Sequence, residues 1–262
     1  MPDSPAAGDE AAEKRRSTRW AYVILALLLA AVVVLRVMVL LYKVPSGSMI
    51  PTLVPGDQVL VARCSEVRRG EVIVFRFPPD LDQDRAKRVI GVPGDEVLFV
   101  DGRPVINGFR VPQCRVGRYD VDGQPYELFI EWLDERAYGI LLDGPVDGGT
   151  CEKDNDCRGG QSCWGGLCGI VQGPWHVEPG HMFVVGDNRM NSHDSRTWDG
   201  ENGWVLPTSL LTGRVKAVGI GGFSGRTFAP VDGPPILPEA AASLRPALEK
   251  CLKDKPAATT PP

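Results

Sequence analysis

A run of apolar residues near the start of the chain constrains its architecture more than any other feature. Residues 20–42 carry a single charge, Arg36. As a helix with a rise of 1.5 Å per residue, they reach about 34 Å, more than the roughly 30 Å of a bilayer's hydrocarbon core. The run therefore predicts one transmembrane helix, with Arg36 near its far end and able to reach the interface. A cleaved signal peptide is the alternative, but no small-x-small cleavage site follows the run.

The charges that flank this run predict its orientation. The basic residues before it are Lys14, Arg15, Arg16 and Arg19, whereas only Arg36 and Lys43 lie at its other end. Because positive charge favours the cytoplasmic side, the N-terminus is predicted in the cytoplasm and everything after the helix outside it. Residues 1–19 are polar and charged, and we expect them to be disordered. The lipid bilayer is the first expected partner.

Short β-branched and aromatic runs follow, separated by turn residues. The chain has 30 Gly and 23 Pro among 262 residues, which is typical of many turns and short strands. Strands are predicted at 59–62, 72–77, 87–92, 182–185 and 213–220. A hairpin is predicted over 97–106 with its turn at Asp101-Gly102, and residues 108–180 look less regular. The predicted fold class is all-β, preceded by one membrane helix.

Composition and motifs exclude several classes of partner. The net charge of −4 argues against nucleic acid. The sequence has no HExxH, no P-loop and no GxGxxG after a strand, so neither a metal site nor a nucleotide site is expected. We expect no cofactor.

Four cysteines are crowded into residues 151–168, among many Gly, Asp and Asn residues. They are Cys151, Cys157, Cys163 and Cys168. This density predicts a small loop held by two disulfides in an oxidising compartment, with the three possible pairings left open. Zinc is the alternative, but the spacings lack the CxxC pairs of structural zinc sites. The other three cysteines stand apart, so at least one thiol is expected to be free or paired with another chain: Cys64, Cys114 and Cys251.

The end of the chain, residues 223–262, is rich in proline and alanine. Residues 239–253 can form a short helix, which Pro246 would kink or break. The last residues, KPAATTPP, are predicted to be disordered.

The segment directly after the apolar run carries the strongest candidate for chemistry. It reads VPSGSMIPTLV and places Ser46 and Ser48 between Pro45 and Pro51. The prolines stiffen both flanks, which suits a rigid turn that presents a hydroxyl next to a membrane. A polar linker is the simpler alternative.

A serine nucleophile needs a base, and the sequence offers two. His193, followed by Asp194, is the closest approach to a Ser-His-Asp set, but nothing in the sequence positions it near Ser48. Lys87 opens an otherwise apolar strand. Burial can lower a lysine pKa by a few units from about 10.4, which would leave a useful neutral fraction near pH 8. An ordinary exposed strand lysine is the alternative.

Four segments together resemble one family, the type I signal peptidases. They are PSGSMIPTL, the GDQVLV run after it, KRVIGVPGD and GDNRMNSHDSR, in the family's order. The linking segments VDGRPVING, PGHMFVVGDNR and GWVLPTSLLTGRV also resemble it, so the match covers about residues 44–222. Members are membrane-anchored serine–lysine proteases that remove signal peptides from exported preproteins. The resemblance implies preprotein substrates and a location in the bacterial plasma membrane, with the catalytic domain outside.

The resemblance also implies roles for individual residues. Ser48 matches the nucleophile and Lys87 the general base. Ser46 matches a residue whose hydroxyl joins the backbone N–H of Ser48 in the oxyanion hole.

The last segment supplies the supporting residues that the resemblance implies. Ser192 matches a serine that orients the lysine amine. Asp194 and Arg196 match a charged pair that supports the site. Asp187 belongs to the turn that opens the segment, together with Asn188 and Arg189.

The family fold implies a mostly antiparallel β catalytic core at 44–96 and 181–222, with a variable β cap inserted at 97–180. The Cys-rich loop in the cap departs from the family pattern, and either docks or restricts substrates or has no catalytic consequence. Substrates with small residues at −1 and −3 are implied, bound as an extended strand. Three other hypotheses are a relative dedicated to one pilin or conjugation protein, a catalytically silent membrane-anchored binding protein that uses the Cys-rich loop, and a self-cleaving repressor. The membrane helix and the lack of a DNA-binding segment argue against the last.

Overall fold

A computed structural model describes residues 19–30, 39–143, 150–164, 166–198, 205–221 and 225–257. The helices are α1 (19–30) and α2 (Arg245–Lys253). The strands are β1 (Val39–Lys43), β2 (Gln58–Ala62), β3 (Val72–Phe77), β4 (Asp80–Gly91), β5 (Glu96–Val100), β6 (Arg103–Ile106), β7 (Phe109–Arg110), β8 (Gln113–Val121), β9 (Gln124–Leu133), β10 (Arg136–Leu142), β11 (Ser162–Trp164), β12 (Leu167–Gly169), β13 (Val171–His176), β14 (His181–Val185), β15 (Leu206–Pro207) and β16 (Leu211–Ile220).

The N-terminal apolar run does not form the single helix predicted over 20–42. Helix α1 covers 19–30, whereas the end of the run is strand β1, which borders β2 in a sheet. The sheet supplies hydrogen-bond partners for the backbone of β1, and this tertiary pairing overrides the helical reading of an apolar stretch. Residues 31–38, and the predicted disorder over 1–18, lie outside the described residues. In the described ranges, no helix is both long and apolar enough to span a membrane.

Seven strands form the main sheet, in the order β1-β2-β16-β3-β4-β14-β15. Strand β16 pairs antiparallel with both β2 and β3, so it joins the start of the sheet to the rest. Strand β4 lies between β3 and β14 and is longer than predicted, with an exposed first half and a buried second half. The predicted mostly antiparallel β architecture is confirmed.

The described residues between 108 and 180 are far more regular than the sequence suggested. Strands β8, β9 and β10 form an antiparallel sheet, and a second sheet has the order β13-β5-β6-β7. The predicted hairpin is present as β5 and β6, and its turn residues Asp101 and Gly102 have φ of 48° and 73°. The register of β8 shifts between Arg115 and Gly117. This shift breaks the alternation of inward and outward residues, so the sequence of β8 lacks the regular pattern of a strand.

The three disulfides settle the pairing that the sequence left open. They join Cys151 to Cys163, Cys157 to Cys168, and Cys114 to Cys251. Cys64 is the free thiol among the described residues. The first two disulfides hold a small element, residues 150–169, that we call the disulfide knob. All four of its sulfurs are used in disulfides and are not available to zinc in this state.

The C-terminal segment is a packed part of the fold. A 3-10 helix at Glu239–Leu244 leads directly into α2, and Pro246 lies in the first turn of α2, where its missing N–H has no helical partner to lose. Leu248 and Cys251 are buried against the sheet of β8, β9 and β10. The Cys114–Cys251 disulfide links α2 covalently to β8.

Candidate active site

Ser48 lies in a single 3-10 turn, Gly47–Met49, directly after the exposed and extended residue Ser46. The Ile50 N–H donates to the Gly47 carbonyl at 3.2 Å, and the Leu53 N–H donates to the Met49 carbonyl at 2.9 Å. The side chains of Met49 and Leu53 are fully buried and anchor the turn. Ser48 itself is half-exposed, so a hydroxyl is presented to a cleft from a rigid backbone.

Lys87 lies on β4 with only 3% of its surface exposed, and its Nζ is 2.7 Å from Ser48 Oγ. Burial lowers the pKa of Lys87 from 10.5 to about 8. The nearby Asp194 carboxylate opposes that shift, whereas the charges of Arg85 and Arg196 add to it. The amine is therefore neutral in a substantial fraction of molecules at weakly alkaline pH.

A cleft of about 390 Å³ opens over this pair. Residues 42–46 line one part of it and residues 83–87 line another, with Ser48 between them. Ser46 Oγ lies 3.4 Å from Ser48 Oγ, so a second hydroxyl stands beside the candidate nucleophile. The arrangement suits an extended chain that is attacked by Ser48, with Ser46 close to the atom on which negative charge develops.

The residues that follow β14 contact the backbone of the turn that carries Ser48, Gly47–Met49, which we call the nucleophile turn. The Asn188 N–H donates to the Ser48 carbonyl at 3.1 Å, and the Gly186 N–H donates to Asp194 Oδ2 at 2.9 Å. A Cβ at Gly186 would overlap the Ser48 carbonyl and the Ser192 hydroxyl. Sequence reasoning missed Gly186 as a site residue, although a glycine at the end of an apolar strand is a signal of close backbone approach.

Asp194 and Arg196 form a buried pair beside the lysine. Arg196 donates from Nε and Nη2 to the two carboxylate oxygens of Asp194, each at 2.9 Å. Burial by itself would raise the pKa of Asp194, but the adjacent Arg196 outweighs it and holds that pKa below its usual value. Asp194 is therefore charged, and its attraction keeps the pKa of Lys87 from falling further.

Ser192, which the resemblance places beside the lysine amine, has its Oγ buried against the Gly186 backbone. The hydroxyl interacts with the Asp194 carboxylate and helps to hold the pKa of Asp194 below its usual value. Direct orientation of the Lys87 amine by Ser192 stays a prediction.

Asp187 belongs to a buried ion pair rather than to a simple turn. Arg88, the neighbour of Lys87 on β4, donates to both Asp187 carboxylate oxygens at 2.7 and 2.6 Å. The Arg88 guanidinium also donates to the Thr52 hydroxyl and lies 3.8 Å from the centre of the Tyr138 ring. Because both ions have no exposed surface, the pair fixes the lysine strand against the residues behind Ser48.

A second buried ion pair lies next to the first. Arg189 binds Glu131 on β9, whose carboxylate also accepts from Tyr138 Oη at 2.6 Å. Sequence reasoning missed Arg88 and Glu131. Arg88 follows Lys87 on β4, and Glu131 lies in the buried part of β9. No local pattern reveals the distant partner that makes the burial of either charge tolerable.

His193 lines the same cleft, but its ring contacts Arg85 and Phe77. Its Nδ1 lies 3.2 Å from Arg85 Nη1, and its ring packs edge-on against Phe77 at 6.0 Å. The structure brings Lys87, and not His193, to the Ser48 hydroxyl.

Comparisons with known proteins show the family of the chain. The family model described as signal peptidase, peptidase S26, matches residues 17–220, and the chain belongs to this family. Signal peptidase I of Pseudomonas fluorescens is 34% identical over 187 residues, which are 65% of this chain and 58% of that protein. Signal peptidase I of Aquifex aeolicus is 28% identical over 225 residues, 78% of this chain and 80% of that protein.

The chain thus spans 58% of the length of the Pseudomonas relative that it matches. Among solved structures, a signal peptidase I from Enterococcus faecalis is 21% identical, with a TM-score of 0.29, and covers 57% of this chain and 96% of that one.

Proposed function

We propose that this protein is a signal peptidase I, an endopeptidase that removes N-terminal signal peptides from exported preproteins with a Ser48–Lys87 dyad. The observation that carries the proposal is the 2.7 Å distance between Lys87 Nζ and Ser48 Oγ at the floor of a cleft. Membership of the peptidase S26 family supplies the peptidase class. A catalytically silent binding protein would not need a buried lysine whose pKa is lowered to about 8.

In the first half of the reaction, neutral Lys87 accepts the Ser48 proton while Ser48 Oγ attacks the scissile carbonyl carbon. Negative charge then develops on the carbonyl oxygen. The Ser46 hydroxyl and the Ser48 N–H are the donors proposed to stabilise it. The tetrahedral intermediate collapses when the Lys87 ammonium gives its proton to the departing amine, leaving the signal peptide as an ester on Ser48.

In the second half, a water molecule replaces the amine. Lys87, again neutral, accepts a proton from this water as it attacks the ester. The collapse returns the proton to Ser48 Oγ and frees the carboxyl end of the signal peptide. One base serves both halves, because the buried amine has a pKa close to the pH at which it works.

The cleft also supports the substrate class. Its apolar lining includes Val44, Val59 and Val74, and its walls are the extended residues 42–46 and 83–87. An extended peptide between them would direct alternate side chains into the lining. We propose that substrates carry small residues at −1 and −3, as the family resemblance implies.

The disulfides support a location outside the cytoplasm. Three disulfides in one chain require an oxidising compartment. We propose that the catalytic part works on the extracytoplasmic face of a bacterial plasma membrane and that the apolar residues before β1 attach it there. Protease treatment of spheroplasts should remove the catalytic part; protection from protease would contradict this placement.

The deciding experiment incubates the purified protein with a preprotein that carries an Ala-x-Ala site. Ser48→Ala and Lys87→Met are compared with controls at exposed positions, Ser65→Ala and Lys216→Met. We expect cleavage after the second alanine by the wild type and both controls, and by neither dyad variant. Cleavage that survives Lys87→Met would remove the lysine as base. Failure of the folded wild type on several such preproteins would overturn the proposed substrate class.

A further inference from the structure

Residues beyond position 220, where the family model ends, pack against the segment that directly follows the nucleophile turn. We propose that residues 225–253, which we call the C-terminal clamp, position this turn for catalysis, with Arg226 as the main positioning residue. The inference rests on the proposed role of Ser48 as nucleophile. The family model ends at residue 220, so the clamp is an addition to the matched part of the chain.

Arg226 is buried and binds the backbone of the segment that directly follows the nucleophile turn. Its side chain is 2% exposed and donates from Nη2 to the Thr52 carbonyl at 2.5 Å and to Asp57 Oδ2 at 2.6 Å. The same Asp57 oxygen accepts the Val54 N–H at 2.9 Å. One buried guanidinium therefore binds both ends of the segment from Thr52 to Asp57, which leads from the turn into β2.

Thr52 is held from two sides by two buried arginines. Arg88 donates to its hydroxyl at 3.1 Å, and Arg226 donates to its carbonyl. Arg88 belongs to the lysine strand and Arg226 to the clamp. The residue four positions after Ser48 is thus fixed between the strand that supplies the base and the C-terminal segment.

Apolar contacts of the clamp reach still closer to Ser48. Ile50 shares one buried cluster with Leu237, Leu248 and Cys251 of the clamp. A Cβ at Gly139 would lie 2.7 Å from the Pro51 ring and 2.8 Å from the Pro235 ring, so both rings pack on the backbone of β10 at this point. The two residues after Met49 therefore rest on a surface that the clamp helps to form.

The Cys114–Cys251 disulfide ties this surface to the rest of the protein. It joins the last helix to β8 across 137 residues of sequence. Release of the clamp would expose Arg226, Asp57 and the Thr52 carbonyl to water, and the turn would lose its fixed backbone. A cross-link of this kind limits such local opening.

The proposal predicts a change in catalysis that is separate from substrate binding. No described residue of the clamp lines the cleft over Ser48, so the clamp acts on the turn without reaching the space proposed for the substrate. We expect Arg226→Gln to lower kcat by about 10- to 100-fold, with KM changed by less than about threefold, because a small misplacement of a reacting group has effects of this size. Arg226→Lys, which keeps a charge for Asp57, should recover part of the loss.

The experiment combines kinetics with hydrogen–deuterium exchange of the amides in 46–57. Arg226→Gln and the double variant Cys114→Ser/Cys251→Ser are compared with two controls. These are Arg245→Gln, which removes an exposed ion pair in the clamp, and Cys151→Ser/Cys163→Ser in the disulfide knob. We expect faster exchange and lower kcat in the first two proteins only, with Arg226→Gln showing the larger change.

The exchange measurement keeps this inference separate from the proposed function. Unchanged exchange at 46–57 in both clamp variants would overturn the inference even if the wild type cleaves preproteins. Faster exchange with an unchanged kcat would also overturn it, since the clamp would then stabilise the turn without positioning Ser48. If the wild type cleaves no preprotein, the proposed function fails, and unchanged exchange still rejects the clamp.

Discussion

The nucleophile turn and the disulfide knob are held in opposite ways. The turn is held by buried side chains, by two arginines that bind Thr52 directly after it, and by one backbone hydrogen bond from Asn188 to the Ser48 carbonyl. The knob buries little of its surface. Among its described side chains, Cys168 is the one that is fully buried, and the charged side chains are exposed. Two disulfides hold it, Arg110 donates to its Trp164 carbonyl, and Asp101 accepts from the N–H of Ile170 directly after it.

The difference shows what each region needs. A candidate reacting pair must be fixed in position, which packing and buried polar contacts provide. A small surface element needs only a defined shape, and covalent links provide that without a core. Substitutions at the turn should therefore change chemistry and stability together, whereas substitutions in the knob should change neither by much.

The largest effect is expected at the dyad itself. Ser48→Ala and Lys87→Met should each lower kcat by about 10⁴-fold or more, and the double variant should be no worse than either single one, because the two groups act as a unit. Single-turnover cleavage of a preprotein measures all three. Additive losses would show that Ser48 and Lys87 do not act in the same step.

The buried Arg88–Asp187 pair should dominate stability near the site. Arg88→Gln leaves Asp187 as an unpaired buried charge and should lower the free energy of unfolding by about 3 to 5 kcal/mol. Urea denaturation measures the loss. Arg76→Gln on the exposed face of β3 is the matched control and should change stability by less than about 0.5 kcal/mol. A similar small change for Arg88→Gln would show that the pair is dispensable.

The burial of Lys87 should lower the free energy of unfolding of the protein. Its pKa is about 8 in the folded state against an ordinary value of 10.5. The unfolded chain therefore binds the extra proton between these values, and stability rises with pH across that window. Lys87→Met should raise the free energy of unfolding by about 3 kcal/mol at pH 7, with the gain disappearing towards pH 10.5. A gain that does not depend on pH would contradict the lowered pKa.

The same pKa sets the pH dependence of cleavage. In the proposed mechanism only neutral Lys87 accepts the serine proton, so kcat/KM should fall about tenfold for each unit below pH 8. The positive charge of Arg85 helps to lower this pKa, so Arg85→Gln should move the acidic limb to higher pH. A profile that is flat from pH 6 to 8 would exclude Lys87 as the base.

The smallest effect is expected in the knob. Cys151→Ser/Cys163→Ser should leave kcat/KM for a standard preprotein within about twofold, because none of the described knob residues lines the cleft over Ser48. Comparison of several preproteins measures this directly. A loss confined to particular preproteins would instead assign the knob a part in substrate selection.

Local patterns in the sequence predicted much of the main sheet. Strand β3 occupies the predicted residues, and the Asp101-Gly102 hairpin forms as expected. These elements are set by side-chain alternation and turn residues, which act over a few positions. The closeness of Ser48 and Lys87 could not be derived in this way, since 39 residues separate them; it followed from the resemblance of whole segments to a family.

Features that depend on partners far apart in the chain could not be predicted from the sequence. The disulfide pairings, the burial of Arg88 and the packing of residues 225–253 each join parts of the chain that no local pattern connects. The prediction of one helix over residues 20–42 was wrong for a related reason. Residues 39–43 are as suitable for a membrane helix as for a strand, and pairing with β2 decides between the two.

The position of β16 between β2 and β3 has a consequence for the order in which the enzyme is made. Ser48 lies in the turn before β2, and Lys87 lies on β4, which pairs with β3; β16 joins β2 to β3. Until residues 211–220 have been synthesised, no strand joins these two parts of the sheet. A newly made chain therefore brings the Ser48 hydroxyl to the Lys87 amine only after the sheet has closed.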